Sequence, residues 1–521
     1  MLVHDVLAHA VKLYPDKVAL LDGDVRYTYR QTSERVHRLA AGLLGLGLKP
    51  GDNIGILANN SHRYWETYFT ASVAGTPLAP LNIRLAAHEL EFILNDGDIK
   101  ALMLGPEYIG LYDQFKAKTP GIKHVVILNG ELAGAVDYEQ LIASNEPLPG
   151  PAREWSENDM FNLCYTGGTT GLPKGVMLSQ RNVVSNAQHA ILTFAFSERD
   201  TWLHVAPMFH LADAWACYAL TMVGGAHTFL GAFAPQACLE IIEHTKVTKT
   251  ILVPTMINFL VNFPGLKNFD TSSLDLMLFG ASPMPVDRLM AAKEALGPKL
   301  CQAYGMTETA PLLTAMKMEW TKYEGTEAET RRLASCGRQV SGVDVRVVDE
   351  ETGEDVKPGE VGEIIARGPN VMLGYWNRPE ETAAALRGGY MHTGDLATVD
   401  AESFVFIVDR AKDMIISGGE NVYSTEVENA LYDHPDVLEA AVIGIPDERW
   451  GEAVLAVVVP KEGTNPTEHD IIEHCRGLIA GYKCPKQVVF QSTPLPKSGP
   501  GKILKTELRK PYWADKEKRV N

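Results

Sequence analysis

Met160-Phe-Asn-Leu-Cys-Tyr165 runs straight into Thr166-Gly-Gly-Thr-Thr-Gly-Leu-Pro-Lys-Gly175, and this junction decides the fold. The first six residues read as a buried strand. The stretch from Tyr165 to Gly175 holds four glycines, three threonines and one lysine in eleven residues. Glycines let backbone N–H groups approach an anion with no Cβ in the way. Hydroxyls and an ammonium add further donors. A strand delivering such a turn presents phosphate ligands. The common NTPase loop ends in Gly-Lys-Ser/Thr. Here Pro173 precedes Lys174 and Gly175 follows it, so that loop is excluded.

Outward from the loop, strands and helices alternate. Val18–Leu21 and Val25–Tyr29 flank Asp22-Gly-Asp as a hairpin. An amphipathic helix is expected from Thr32 to about Leu46, stopped by Gly47 and Pro50-Gly51, with a strand over Asn53–Leu57. Gly45 to Gly51 has dinucleotide-loop spacing, but it follows a helix rather than a strand and reads as a helix stop. Past the loop, a helix is expected over Val183–Ala195. Strands follow over Thr201–Val205, Thr250–Val253 and Leu274–Phe279. This alternation implies largely parallel sheets with buried faces. Val343–Asp349, Gly362–Arg367 and Phe404–Val408 then read as a β-rich part. A boundary falls at Asp409-Arg-Ala-Lys-Asp413. About 110 residues remain beyond it, enough for a small α+β domain. It would hold helices at Ser424–Tyr432 and Glu468–Leu478, with strands at Glu439–Ile445, Ala453–Pro460 and Gln487–Phe490.

The 521 residues exceed one core. A net charge of −17 argues against a nucleic-acid surface, which needs a basic field. None of the seven cysteines forms a C-x-x-C pair, so no zinc or redox motif is expected, and their scatter fits reduced thiols. Charge at Asp5 interrupts any secretory pattern. The apolar window Ala214–Phe233 carries His227 and glycines and reads as core rather than membrane span. A cytoplasmic protein without an integral membrane segment is expected.

The loop has partners along the chain. These are His210 in Ala206-Pro-Met-Phe-His-Leu-Ala-Asp213, Tyr304-Gly-Met-Thr-Glu308, His392-Thr-Gly-Asp-Leu396, Asp409-Arg410, and Pro496-Lys-Ser-Gly-Pro-Gly-Lys502. In this order, over nearly the whole chain, they resemble the adenylate-forming superfamily, which contains the acyl- and aryl-CoA synthetases. The resemblance implies an α/β fold. A large N-terminal domain (residues 1–409) would comprise two αβ subdomains plus a β-rich subdomain. A hinge (410–413) would lead to a small mobile α+β C-terminal domain (414–521). It implies a ligase that joins a carboxylic acid to ATP as acyl-AMP, releases pyrophosphate, and then transfers the acyl group to the thiol of coenzyme A.

Residue roles follow from the same resemblance. Thr166, Gly167, Gly168, Thr169, Thr170 and Lys174 would cradle the β- and γ-phosphates, and Thr169 with Glu308 would hold Mg²⁺. Lys502 would reach between the carboxylate and the α-phosphate; Lys502, His210, Glu308 and Thr166 form the implied catalytic set. Tyr304 would stack on adenine beside Gly305, Met306 and Thr307, with Gly280, Ala281 and Ser282 opposite. Asp395 would take the ribose hydroxyls, supported by Arg410. Lys412 sits at the implied hinge. Ser417, Gly418, Gly419 and Glu420 would come over the CoA tunnel when the small domain turns. His210, Trp215, Gly280 and Gly305 would border the acid. Two departures from the family pattern stand out: Ser403 lies where a turn glycine is expected, and Pro500 precedes Gly501. Trp215, Phe259, Met306 and Leu312 suggest an apolar fatty, aryl or thioether acid. Ala310, Pro311 and Leu312 offer no charged partner for an amino group. Homodimers are common in the superfamily. A stand-alone adenylation domain that loads a carrier protein, and an ATP-binding protein without catalysis, are the alternatives.

Overall fold

In the computed structural model, Met160–Thr166 runs antiparallel to Lys174–Ser179, with Thr166 opposite Lys174 and Tyr165 opposite Gly175. The structure describes residues 1–166, 173–280, 284, 286–418, 420–447, 449–497 and 503–513. The calls on Gly167, Gly168, Thr169, Thr170, Ala281, Ser282, Gly419, Pro500 and Lys502 lie outside the described residues.

The two loop strands belong to an eight-stranded sheet. Met160–Thr166 is parallel to Leu78–Pro80, which pairs in parallel with Asn53–Leu57, and that strand with Ile99–Leu104. All five residues of Asn53–Leu57 are buried, as a strand covered on both faces requires. A nine-stranded sheet carries Ala226–Phe229, Thr201–His204, Lys249–Leu252, Leu276–Phe279 and Leu300–Gly305 in parallel. The expected hairpin Val18–Asp22 with Val25–Thr28 closes one edge. Leu312–Ala315 joins antiparallel near the other. Gly280, Tyr304 and Gly305 therefore cluster at the carboxyl ends of parallel strands, where open α/β sheets bind ligands.

Two helices start earlier than their apolar periodicity suggests. Tyr29–Gly45 begins at a capping box: Thr28 Oγ1 accepts the Gln31 N–H, and Gln31 Oε1 accepts the Thr28 N–H. Gln180–Phe194 begins the same way on Ser179 and Asn182. The Gly45–Gly51 segment is a helix stop as expected, with Gly47 and Gly51 at φ +98° and +100°. The window Ala214–Phe233 resolves into the helix Leu211–Val223 and the strand Ala226–Phe229. Among the described residues no helix is long and apolar enough to cross a membrane. All seven cysteines are free and buried.

Asp344–Val348, Gly362–Arg367, Met391–Val399 and Val405–Arg410 form an antiparallel four-stranded sheet. The smaller C-terminal domain is built on the hairpin Val437–Asp447 with Gly451–Pro460. Its alternate residues serve two cores. Ala440 and Val442 face a cluster with Val427, Leu431 and Ile471 from the helices Ser424–Tyr432 and Glu468–Leu478. Ala441 and Ile443 face Leu508 of the helix Lys505–Trp513. A large N-terminal domain with a smaller C-terminal one is the expected class.

Candidate active site

The site is assembled from several strands and the turns that leave them. Leu300–Gly305 supplies Tyr304, and its turn into Leu312–Ala315 is tight: a Cβ on Gly305 would lie 1.7 Å from Pro311 O, so only glycine fits. A Cβ on Gly280 would meet Ala303 O at 2.4 Å, which brings Gly280 against the same strand. Asn370 ties the turn down, donating to Thr309 O at 2.7 Å and Leu312 O at 3.0 Å. Met306 N donates to Pro311 O and Thr307 opens the short helical turn Thr307–Thr309 that carries Glu308.

Asp395, on Met391–Val399, is the cross-strand neighbour of Arg410 on Val405–Arg410. Arg410 Nε lies 3.1 Å from Asp395 Oδ1, and the Tyr304 hydroxyl donates to Oδ2 at 2.8 Å. One oxygen of this buried carboxylate thus accepts the Tyr304 hydroxyl while the other faces the Arg410 guanidinium, and a carboxylate has acceptor capacity beyond these two. Burial and the Asp395 charge push the Tyr304 phenol up, so it stays a neutral donor.

Glu308 is 7% exposed. Its Oε1 accepts the Tyr375 hydroxyl at 2.9 Å, and its backbone carbonyl accepts the Met372 N–H at 2.8 Å. Burial pushes its carboxyl above the usual carboxylate range; the Tyr375 hydroxyl and Arg410 oppose that, and Asp395 adds to it. Lys174 stands with Nζ 5.4 Å from the centroid of the Tyr375 ring. Gly374–Tyr375 pairs antiparallel with the strand from Lys174, and the Trp376 N–H bonds Gly175 O. The structure thus brings Thr166, Lys174, Glu308, Tyr304, Asp395 and Arg410 into one connected region.

Lys412 faces the same region: burial and the Arg410 charge lower its ammonium pKa, while Asp413 and Asp395 oppose. Across this connection Asp409 Oδ2 accepts both the backbone N–H (2.5 Å) and the hydroxyl (2.8 Å) of Ser424, the first residue of Ser424–Tyr432. Lys505 bonds Ser424 Oγ and pairs with Glu428, and Arg509 pairs with Asp413 at 2.8 Å. Ser417 ends Ile415–Ser417 opposite Glu420 of Glu420–Val422. Gly418, at φ +65°, has no room for a Cβ against the Trp450 ring (2.8 Å).

His210 precedes the helix Leu211–Val223 as its N-cap. Its Nδ1 accepts the Ala212 N–H at 3.0 Å, which assigns the ring hydrogen to Nε2. Burial lowers its pKa to about 4, so the ring is neutral at physiological pH. Behind it lies a buried polar chain. Trp202 Nε1 donates to Asp213 Oδ1 at 3.0 Å, and His204 Nδ1 meets Asp213 Oδ2 at 2.5 Å. His204 Nε2 meets His227 Nδ1 at 3.0 Å, and His227 Nε2 meets Thr221 Oγ1 at 3.1 Å. Thr221 in turn donates to Cys217 O at 2.6 Å.

Two aromatics expected at the acid pocket differ in their surroundings. Trp215 is built into the core, stacked on Phe196 at 5.8 Å and edge-on to Trp202 at 5.2 Å. Phe259 is 61% exposed on Pro254–Val261. Packing, which the linear pattern does not reveal, decides both. Sequence reasoning missed Tyr375. It lies in a two-residue strand, too short for any periodicity, and only the Gly-Tyr-Trp run before Arg378-Pro379 hints at it.

Family comparison closes the identification. Residues 7–376 match the AMP-binding enzyme model and residues 426–502 the AMP-binding enzyme C-terminal domain model. The chain belongs to the AMP-binding enzyme family. A feruloyl-CoA synthase of an Amycolatopsis species is 39% identical over 96% of this chain and 97% of that protein. An indoleacetate–CoA ligase of Aromatoleum aromaticum is 35% identical over 95% of each. The crystal structure of the anthranilate CoA ligase AuaEII with anthranoyl-AMP superposes with a TM-score of 0.88 at 26% identity, covering 98% of this chain and 97% of that one. This AMP-binding enzyme is an AMP-forming acid–thiol ligase of the acyl-CoA synthetase class, and such ligases use ATP and coenzyme A.

Proposed function

We propose that this enzyme activates a hydrophobic acid, aryl acids foremost, and that Tyr304, Asp395, Arg410, Glu308 and His210 act as the constellation suggests. The carrying observation is the meeting of Tyr304 and Arg410 on the two oxygens of Asp395, beside Glu308 and the ends of the Thr166–Lys174 loop. A carboxylate is a poor acyl donor because oxide is a poor leaving group. Attack of its oxygen on the α-phosphorus expels pyrophosphate and makes AMP the next leaving group. The barrier there is electrostatic, an anion approaching a polyanion, so the residues needed are donors and cations.

The Thr166–Lys174 loop would hold the pyrophosphate end. Asp395 would take the ribose hydroxyls on its remaining acceptor positions, oriented by Tyr304 and Arg410. His210 would donate its Nε2–H toward the acid carboxylate, the neutral tautomer being suited to a donor that must not trap it as an ion pair. Among the described residues no cluster of three or more His, Cys, Asp or Glu could hold a metal by itself. Magnesium takes one or two carboxylates plus phosphate oxygens and water. Glu308 and Thr169 would hold it, and it would neutralise phosphate charge.

In the second half-reaction the thiolate sulfur of coenzyme A attacks the acyl carbon and AMP leaves. Residues 410–413 would act as the hinge by which Lys502 withdraws and Ser417 to Glu420 approach the CoA tunnel. Support for an aryl acid comes from the relatives, whose names specify feruloyl, indoleacetate and anthranilate substrates. The apolar run Ala310-Pro311-Leu312 adds to it. The test is a panel of aryl, arylalkanoic and straight-chain acids assayed for AMP release with and without CoA. Release of ADP would overturn the mechanism, and a preference for amino acids would overturn the substrate class.

A further inference from the structure

We propose that Tyr375 is a positioning residue that sets the orientation of the Glu308 carboxylate. The inference rests on the reading of Glu308 as a magnesium ligand. Glu308 has its backbone fixed by the Met372 N–H and its side chain held at Oε1 by the Tyr375 hydroxyl, 2.9 Å away. With one oxygen committed, the carboxylate presents the other in a defined direction. Magnesium demands near-ideal octahedral geometry, so the orientation of a ligating carboxylate matters, and groups bonded to ligands set it.

Tyr375 is itself immobilised on both sides of the loop. Its strand pairs with Val176, two residues beyond Lys174, and its N–H donates to Thr382 Oγ1 at 2.9 Å. The next residue reaches Asp96, at the end of the helix Ala87–Asp96, which also holds the strand that enters the loop. Trp376 Nε1 donates to Asp96 O at 2.9 Å, Arg378 pairs with Asp96 Oδ1 at 3.4 Å, and the Tyr165 hydroxyl donates to Asp96 Oδ2 at 2.6 Å. Tyr165 immediately precedes Thr166. The 374–378 segment therefore pairs with the outgoing loop strand, meets the incoming one through Asp96, and places a single hydroxyl on Glu308. Lys174, over the ring of the same tyrosine, shares that reference point.

The test uses the full-length enzyme with Tyr375→Phe, which deletes one hydroxyl and keeps the ring under Lys174. The expected result is a rise of about tenfold or more in the magnesium concentration that half-saturates ATP–pyrophosphate exchange, the range for groups bonded to metal ligands. Mn²⁺ binding in the presence of ATP, read by electron paramagnetic resonance, should weaken by a similar factor. CoA attack on supplied acyl-adenylate should be unchanged. Trp376→Phe removes the bond to Asp96 but spares the hydroxyl; it should lower thermal stability without moving the magnesium requirement, which separates positioning from scaffolding. Glu308→Gln is the control. If Glu308→Gln shifts metal dependence and Tyr375→Phe leaves both readouts unmoved, the positioning role is overturned. If Glu308→Gln itself leaves metal binding intact, the metal-ligand reading falls and takes the inference with it.

Discussion

The Tyr304 hydroxyl and Arg410 Nε occupy different oxygens of the Asp395 carboxylate, at 2.8 and 3.1 Å, so one residue from the nine-stranded sheet and one from the four-stranded sheet fix its plane. Tyr304→Phe removes one hydrogen bond to a charged group, worth about 1.5–3 kcal/mol. The expected outcome is a KM for ATP raised about tenfold, with a smaller change in kcat. Initial rates with ATP varied at saturating acid and CoA check it. Asp395→Ala should be far worse, because it also strips Arg410 of its partner.

His210 predicts a pH effect on stability. Its pKa is lowered to about 4 in the fold by burial, against about 6.5 in an unfolded chain. Between these values the unfolded chain binds the extra proton. Stability is therefore full above pH 6.5 and falls as pH drops towards 4, by at most about 1.4 kcal/mol per unit from this group. His189, also lowered to about 4 by burial, acts in the same window. Urea unfolding midpoints between pH 7 and pH 4.5 should fall, and less steeply in His210→Asn, which keeps an N-cap acceptor but cannot protonate.

Lys502 lies beyond the described residues, but the lid-exchange reading gives it a sharp expectation. Lys502→Ala should reduce acyl-adenylate formation by a hundredfold or more, about the loss of one well-placed charge donor, while CoA attack on supplied acyl-adenylate stays largely intact. Single-turnover assays of each half-reaction decide it; equal loss in both would remove the exchange of lids from the mechanism.

Ser403 offers a stability prediction. It sits at φ +67°, where L-residues with a Cβ are strained, in the turn closed by Asp400 Oδ1 on the Glu402 and Phe404 N–H groups. Ser403→Gly should relieve about 1 kcal/mol of strain, partly offset by unfolded-state entropy. A higher thermal midpoint with unchanged kcat is the expected result.

Much of this molecule is legible in one dimension. The helices Ser424–Tyr432 and Glu468–Leu478 and the strands Asn53–Leu57, Gly362–Arg367 and Gln487–Phe490 fall where pattern and punctuation place them. Each is bounded by strong local signals. The helix starts at Tyr29 and Gln180 were missed because a reciprocal cap, not apolar periodicity, sets the first turn. Tyr304, Glu308, Asp395 and Arg410 could be named from their runs, but their mutual bonds could not. Tyr375 leaves only a faint trace because its bond to Glu308 exists only after 67 residues of chain fold back. The core placement of Trp215 likewise depends on Phe196 and Trp202, both more than ten positions away.

The chain of polar groups behind His210 fixes the tautomer of His227. Thr221 has one hydroxyl hydrogen, and Cys217 O can only accept it, so His227 Nε2 must carry a hydrogen to bond Thr221. The contacts from His227 to His204 and from His204 to Asp213 need one hydrogen each. Burial and the charge of His204 lower the His227 pKa well below its usual value, so that ring stays neutral. In the proposed site, the field an incoming carboxylate would meet comes from the start of the helix Leu211–Val223 and the Nε2–H of His210.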